Sequence, residues 1–306
     1  MNSIDPSITS WWSQREHVRI AAAELSVAEI RESLREMIGA LEGPSYVATA
    51  IPEVREVDVA TVAGQVPVRC YRPRLARQKA VINFHGGGFV AGDIDTHDKT
   101  CRAMADVCRS SVLSVGYPLS PEVGYPVMVD ACYDVLQWAI EQWGSRNVLV
   151  AGDSAGGYLA AAVTRRATAA GHMLAGQLLV YPVLDFTSSL PATREHATSI
   201  ALHQEDVITY GRLFLGSNDP VRKREASLLS GDLRGLPPTV IATAEYDPLR
   251  DDGATYAALL AQHQVPIVFQ PNLDLIHGWL DWTEVSDRAK RARLLAFRAA
   301  SELLTE

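Results

Sequence analysis

Residues 18–42 place Ile20, Leu25, Ile30, Leu34, Ile38 and Leu41 at roughly helical spacing, which predicts an amphipathic helix. Gly43-Pro44 ends it. From Val54 to Pro73 the pattern changes to alternation: Val57 and Val59, then Val66, Val68 and Cys70 set against Pro67, Arg69 and Tyr71. That predicts a pair of strands joined around Ala63-Gly64-Gln65. Beyond them, short apolar runs alternate with longer helical stretches. The first runs are Ala80–Phe84, Val112–Val115 and Val148–Ala151; Gln177–Tyr181, Thr239–Thr243 and Pro266–Phe269 follow. Helical stretches fall near 97–109, 126–142, 155–170 and 252–263, with a last one near 285–303. This alternation predicts βαβ units and therefore an α/β fold with an eight-stranded, mostly parallel sheet flanked by helices. The segment from about 186 to 218 holds no strand and reads as an insertion rather than a separate domain.

The length of 306 residues suits one large α/β domain. A formal net charge of −8 argues against nucleic acid or an anionic membrane as a partner. No stretch reaches the ~18 apolar residues of a membrane span. Met1 to Ile20 carries Asp5, Arg15, Glu16 and Arg19 without an apolar run, so it does not read as a signal peptide. Cys70, Cys101, Cys108 and Cys132 form no CxxC pair and read as buried apolar residues, which suits a reducing cytoplasm. An exposed last strand would offer an edge on which a homodimer could pair.

The candidate chemistry starts at Gly152-Asp153-Ser154-Ala155-Gly156, a G-x-S-x-G sequence between the run ending at Ala151 and the helical Gly157–Val163. Strand, sharp turn and helix are the context this motif needs to expose a serine hydroxyl above a sheet. A serine nucleophile also requires a base, an orienter for the base and donors for the oxyanion. Of the eight histidines, His277 alone follows the last predicted strand and precedes the last helix. Asp247 stands nearest the end of the Thr239–Thr243 strand, with Asp251 the second candidate; Asp251 and Asp252 otherwise read as helix N-terminal acids. The order Ser154, Asp247, His277 is that of α/β-hydrolases.

His85-Gly86-Gly87-Gly88-Phe89 comes directly after the third strand, where glycines let backbone N–H groups turn towards a substrate alongside the Ala155 N–H. A phosphate loop is disfavoured, since neither the Rossmann nor the P-loop glycine spacing occurs. His85 reads as a brace for the loop rather than a base. Trp11-Trp12 either lines a pocket or anchors the N-terminal helix, and His97-Asp98 reads as an ordinary helix start. Arg222, Lys223, Arg224 and Glu225 read as a solvated face, and no cluster has metal-ligand spacing.

These motifs together resemble the hormone-sensitive-lipase-like family of α/β-hydrolases, which includes many bacterial carboxylesterases. The resemblance covers roughly residues 55–300 and includes Gly92-Asp93, Thr96-His97-Asp98, Asp247-Pro248-Leu249-Arg250-Asp251 and His277-Gly278. It implies Ser154 as nucleophile, Asp247 as orienter and His277 as base, with the N–H groups of Gly87, Gly88 and Ala155 as the oxyanion hole. It also implies a lid, made of N-terminal cap helices over 1–45 and a cap insertion at about 186–218 on a catalytic domain of 46–306. Where the family often has Tyr-Arg-Leu-Ala-Pro-Glu, this chain has Tyr117-Pro118-Leu119-Ser120-Pro121-Glu122, which removes an arginine and its charge partners. Trp279 replaces the usual Phe, and its bulk is expected to narrow the pocket. The expected activity is hydrolysis of short-chain esters of small molecules, with no metal or organic cofactor. A lactone or arylformamide-type amide hydrolase with the same triad is the alternative, and a non-catalytic ligand-binding hydrolase fold a more remote one.

Overall fold

Strands β3 (Ala80–Phe84), β4 (Ser111–Val115), β5 (Val148–Asp153) and β6 (Gly176–Val180) are buried at every position. Burial on both faces explains why they read as unbroken apolar runs rather than as alternation. The computed structural model describes residues 3–15, 20–43 and 46–305. Met1, Glu16, Arg19 and Pro44, and the start of the 18–42 stretch, lie outside the described residues.

The hairpin is β1 (Glu53–Thr61) and β2 (Gly64–Arg72), with Thr61 opposite Gly64, so Val62-Ala63 make the turn and Gly64-Gln65 already belong to the strand. With β7 (Thr239–Tyr246) and β8 (Ile267–Ile276) the sheet has eight strands in the order β1-β2-β4-β3-β5-β6-β7-β8. From β4 to β8 all neighbours are parallel. The last strand runs well past the predicted Phe269, because Gln270–Ala292 and Asn272–Thr243 hydrogen bonds and continued pairing with β7 carry it through Pro271. Pro271 is tolerated because β8 is an edge strand.

Successive strand residues feed two cores. Ile82, Phe84 and Val150 pack on one face with Met128, Cys132 and Leu136 of α4 (Val127–Trp143), Leu159 of α5 (Ala155–Ala169) and Tyr256 of α9 (Arg250–Gln262). Val81, Val112 and Leu149 face the opposite core, with Cys101 and Met104 of α3 (Asp98–Cys108) and Phe297 of α10 (Asp287–Leu303). Each such fully buried aliphatic or aromatic side chain stabilises the fold by roughly 1.5–3 kcal/mol.

Helix α1 (Pro6–Ser13) starts at Asp5, whose side chain accepts from the Ser7 N–H. Trp11 and Trp12 lie against Trp282 at ring separations of 5.0 and 6.1 Å, so the tryptophan pair anchors this helix on the body. Helix α2 (Val27–Glu42) begins later than position 18, because Ser26 and Glu29 form a reciprocal capping box. Its Ile30, Leu34 and Ile38 pack on Val90 and Ala91, just beyond the glycine loop after β3. Between β6 and β7 lie α6 (Ala192–Glu195), α7 (Gln204–Leu215) and α8 (Pro220–Ala226). No strand forms in 186–218, apart from an isolated bridge between Thr198 and His203. No helix among the described residues is long and apolar enough to cross a membrane.

Candidate active site

The carboxyl ends of β3, β5, β7 and β8 open on the same end of the sheet, where parallel α/β sheets place their sites. Ser154 sits between β5 and α5 at φ 53° and ψ −117°, a left-handed conformation that a serine rarely adopts. Gly152 and Gly156 permit it. A Cβ on Gly156 would lie 1.9 Å from the Phe84 carbonyl oxygen, so the helix can approach β3 only if that position is bare.

The three separated side chains meet. Ser154 Oγ lies 2.9 Å from His277 Nε2, and His277 Nδ1 lies 2.7 Å from Asp247 Oδ2. With the proton on Nδ1, the imidazole donates to the carboxylate and accepts from the serine hydroxyl. Asp247 is fully buried, and its other oxygen accepts the Leu249 N–H at 2.8 Å, which fixes the carboxylate plane. Asp251 faces elsewhere: it accepts from Arg250 Nε and from the Ala192 N–H, both at 2.8 Å, and so ties α9 to the 186–218 segment. Asp252 accepts the Leu184 and Asp185 N–H groups, and burial pushes its carboxyl well above the usual range.

Gly87, Gly88 and Ala155 line the same pocket as Ser154. Gly87 and Gly88 hold φ of 118° and 64°. Among the described residues, the N–H groups of Gly87, Gly88 and Ala155 have no protein acceptor. Ala155 opens α5, so its N–H is one of the unpaired donors at a helix start. The pocket encloses about 850 Å³ of empty space, its open mouth included. Leu34 and Met37 of α2 wall it on one side, and Val207, Tyr210 and Gly211 of α7 on another. Phe186 and Leu249 line it as well, and most of the surface is apolar.

Several contributors escaped the sequence reading. His97 turns its ring into the pocket wall, although its position at the start of α3 reads as a plain helix cap. Asp281 also lines the pocket, and burial raises its carboxyl to about 6. Trp279 does not narrow the pocket. It is fully buried in the core and meets Tyr181 edge-on at 5.6 Å, because Gly278 at φ 78° turns the chain away from the site. His85 is buried and stacks on Tyr117 at 4.2 Å, and burial holds it down at about 4, as befits a brace. Close to Pro118 in sequence, the Ser120 carbonyl and Glu122 are held by Arg31 of α2, which also donates to the Val90 carbonyl and pairs with Glu122 at 2.7 Å.

Residues 81–281 match the family model described as the alpha/beta hydrolase fold. The chain belongs to the hormone-sensitive-lipase-like family of α/β-hydrolases. Esterase LipI of Mycobacterium tuberculosis is 39% identical over 79% of this chain and 80% of its own length. Carboxylesterase NlhH of the same organism is 35% identical over 79% of this chain and 81% of its own. Among solved structures, the thermostable carboxylesterase EstE1 from a metagenomic library superposes with a TM-score of 0.86 at 33% identity, covering 92% of this hydrolase and 98% of that chain.

Proposed function

We propose that this chain is a serine carboxylester hydrolase of short-chain acyl esters, with Ser154, His277 and Asp247 as its triad. The observation that carries the reading is the hydrogen-bonded row Ser154–His277–Asp247, whose serine and histidine line a mostly apolar pocket together with Gly87, Gly88 and Ala155. His277 takes the proton of Ser154 as Oγ bonds to the ester carbonyl carbon, and the carbonyl electron pair moves to oxygen. Asp247 stabilises the imidazolium. The oxyanion accepts from the three amides, each such donor being worth about 2.7–4 kcal/mol in a comparable site. His277 then gives its proton to the departing alcohol, leaving an acyl-serine that water, deprotonated by the same imidazole, cleaves to the acid. The names of the related esterases support the ester class, and the residues in hand supply each step without a metal or organic cofactor.

In this reading α1, α2 and the 186–218 segment form a cap, supported by the Leu34, Met37, Val207 and Tyr210 lining of the pocket. Cytoplasmic residence belongs to the same proposal, supported by four buried free thiols.

Initial rates on p-nitrophenyl esters from acetate to palmitate test the substrate class. Turnover should peak on short chains and fade towards palmitate, because the walls of α2, α7 and Phe186 bound the acyl chain. A palmitate optimum, or turnover confined to lactones or amides, would overturn it. Asp247→Asn should lower kcat by about 10⁴ through the wrong histidine tautomer. Asp251→Asn should keep most of the rate, since Asp251 contacts Arg250 and the Ala192 amide rather than His277. Equal losses in the two variants would refute the assignment of the acid.

A further inference from the structure

Beneath the loop that carries Gly87 and Gly88 lies a second histidine–carboxylate pair to which the reaction above gives no part. Asp153 ends β5, His97 caps α3, and both are buried. They converge on one backbone group, the N–H of Gly86, which lies 3.0 Å from Asp153 Oδ1 and 3.3 Å from His97 Nε2. His97 Nε2 is itself 3.5 Å from that same Asp153 oxygen. A charged His97 therefore donates to the carboxylate oxygen that also holds Gly86, whereas a neutral one accepts from Gly86 directly.

The rest of the setting fixes this pair in place. His97 Nδ1 lies 3.1 Å from the Thr96 hydroxyl, and Thr96 is tied to Asp93 by its own N–H at 2.8 Å. Tyr181, whose ring also packs on His277, donates its hydroxyl to Asp153 Oδ2. The ionisable groups facing His97 are Asp153 on β5, Asp93 before α3, Asp281 after β8 and the His85 ring at 5.4 Å. Burial opposes charge on both partners, yet Asp153 raises His97 above its ordinary range and His97 lowers Asp153 below its own.

We propose that His97 and Asp153 are positioning residues for ester hydrolysis: by clamping the Gly86 N–H they aim the Gly87 and Gly88 amides at the developing oxyanion. This rests on the oxyanion role given above to Gly87 and Gly88. Such donors act only over a narrow range of positions, and an error of about 1 Å in a reacting geometry costs on the order of 100-fold. The loss falls on the transition state, because the loop binds a tetrahedral oxyanion more strongly than a trigonal carbonyl.

The test compares the full-length wild type with Asp153→Ala, Asp153→Asn and His97→Asn on p-nitrophenyl butyrate. Inhibition by an aryl trifluoromethyl ketone, which accepts a serine oxygen to give a tetrahedral oxyanion, is set against that by the matching methyl ketone. Asp153→Ala should lower kcat about 100-fold with KM within about twofold, and weaken the trifluoromethyl ketone alone by a similar factor. Asp153→Asn keeps an oxygen for the Gly86 N–H and should recover about tenfold of that loss. A folded Asp153→Ala with unchanged kcat, or equal weakening of both ketones, overturns the proposal. If Asp153→Ala fails to fold, the near-isosteric Asp153→Asn and His97→Asn decide: wild-type kcat and wild-type ketone affinities in both overturn it. A wild type that turns over esters but ignores the trifluoromethyl ketone would instead count against Ser154 as nucleophile.

Discussion

Ser154→Ala is expected to lower kcat by about a million-fold, the loss seen when the serine of a working triad is removed. The size follows from the division of labour in the site. On the proposed roles, His277 would still accept a proton and the loop amides would still bind an oxyanion, so residual catalysis of about 10³–10⁴ over water should persist without the nucleophile. The variant loses one oxygen and keeps a Cβ, so the turn between β5 and α5 should survive and the melting temperature should stay close to that of the wild type. Its rate is measured on a short p-nitrophenyl ester, beside the thermal unfolding curve. A decrease below about 100-fold would remove Ser154 from the mechanism.

Gly156→Ala is expected to be the most damaging single-methyl substitution for the fold. The new Cβ would lie 1.9 Å from the Phe84 carbonyl oxygen and 2.6 Å from that of His85. Neither is the flexible end of a side chain. Phe84 closes β3, which is hydrogen-bonded between β4 and β5, so relief requires α5 to move off the sheet. Overpacking costs typically about 1–3 kcal/mol and more when backbone must shift, so a loss at or above the top of that range is expected. For a chain of 306 residues that corresponds to a melting temperature lower by about 5 °C or more. The loop after His85 should move as well, lowering kcat in the folded fraction. Gly39→Ala is the control: it sits in α2, and a Cβ there would meet nothing within 4 Å, so it should leave the melting temperature unchanged or higher. An indifferent Gly156→Ala would mean that the approach of α5 to β3 is looser than the geometry implies.

The strands are legible where burial on both faces makes them fully apolar, as at Ala80–Phe84 and Val148–Ala151. Legibility fails where pairing overrides composition. Gln270, Pro271 and Asn272 break the apolar pattern of β8, yet β7 supplies their strand partners. The start of α2 is displaced from the apolar spacing, which begins before the Ser26–Glu29 cap that sets the boundary. At the site, Ser154 and His277 stand out because each follows a strand. His97 and Asp153 stand inside recognised motifs, but nothing local tells that both will face one backbone N–H.

The sequence by itself determined the α/β alternation, the turn that presents Ser154 and the order of the three candidate side chains, because strand burial and elbow geometry are local properties of a few consecutive residues. Only the tertiary structure decided that Asp247 rather than Asp251 meets His277, that Arg31 of α2 pairs with Glu122, and that Trp279 faces the core. These outcomes depend on groups brought together across the chain, such as Ser154 and His277 at a separation of 123 residues. Their distances are set by sheet order and helix packing, which no short stretch of residues encodes.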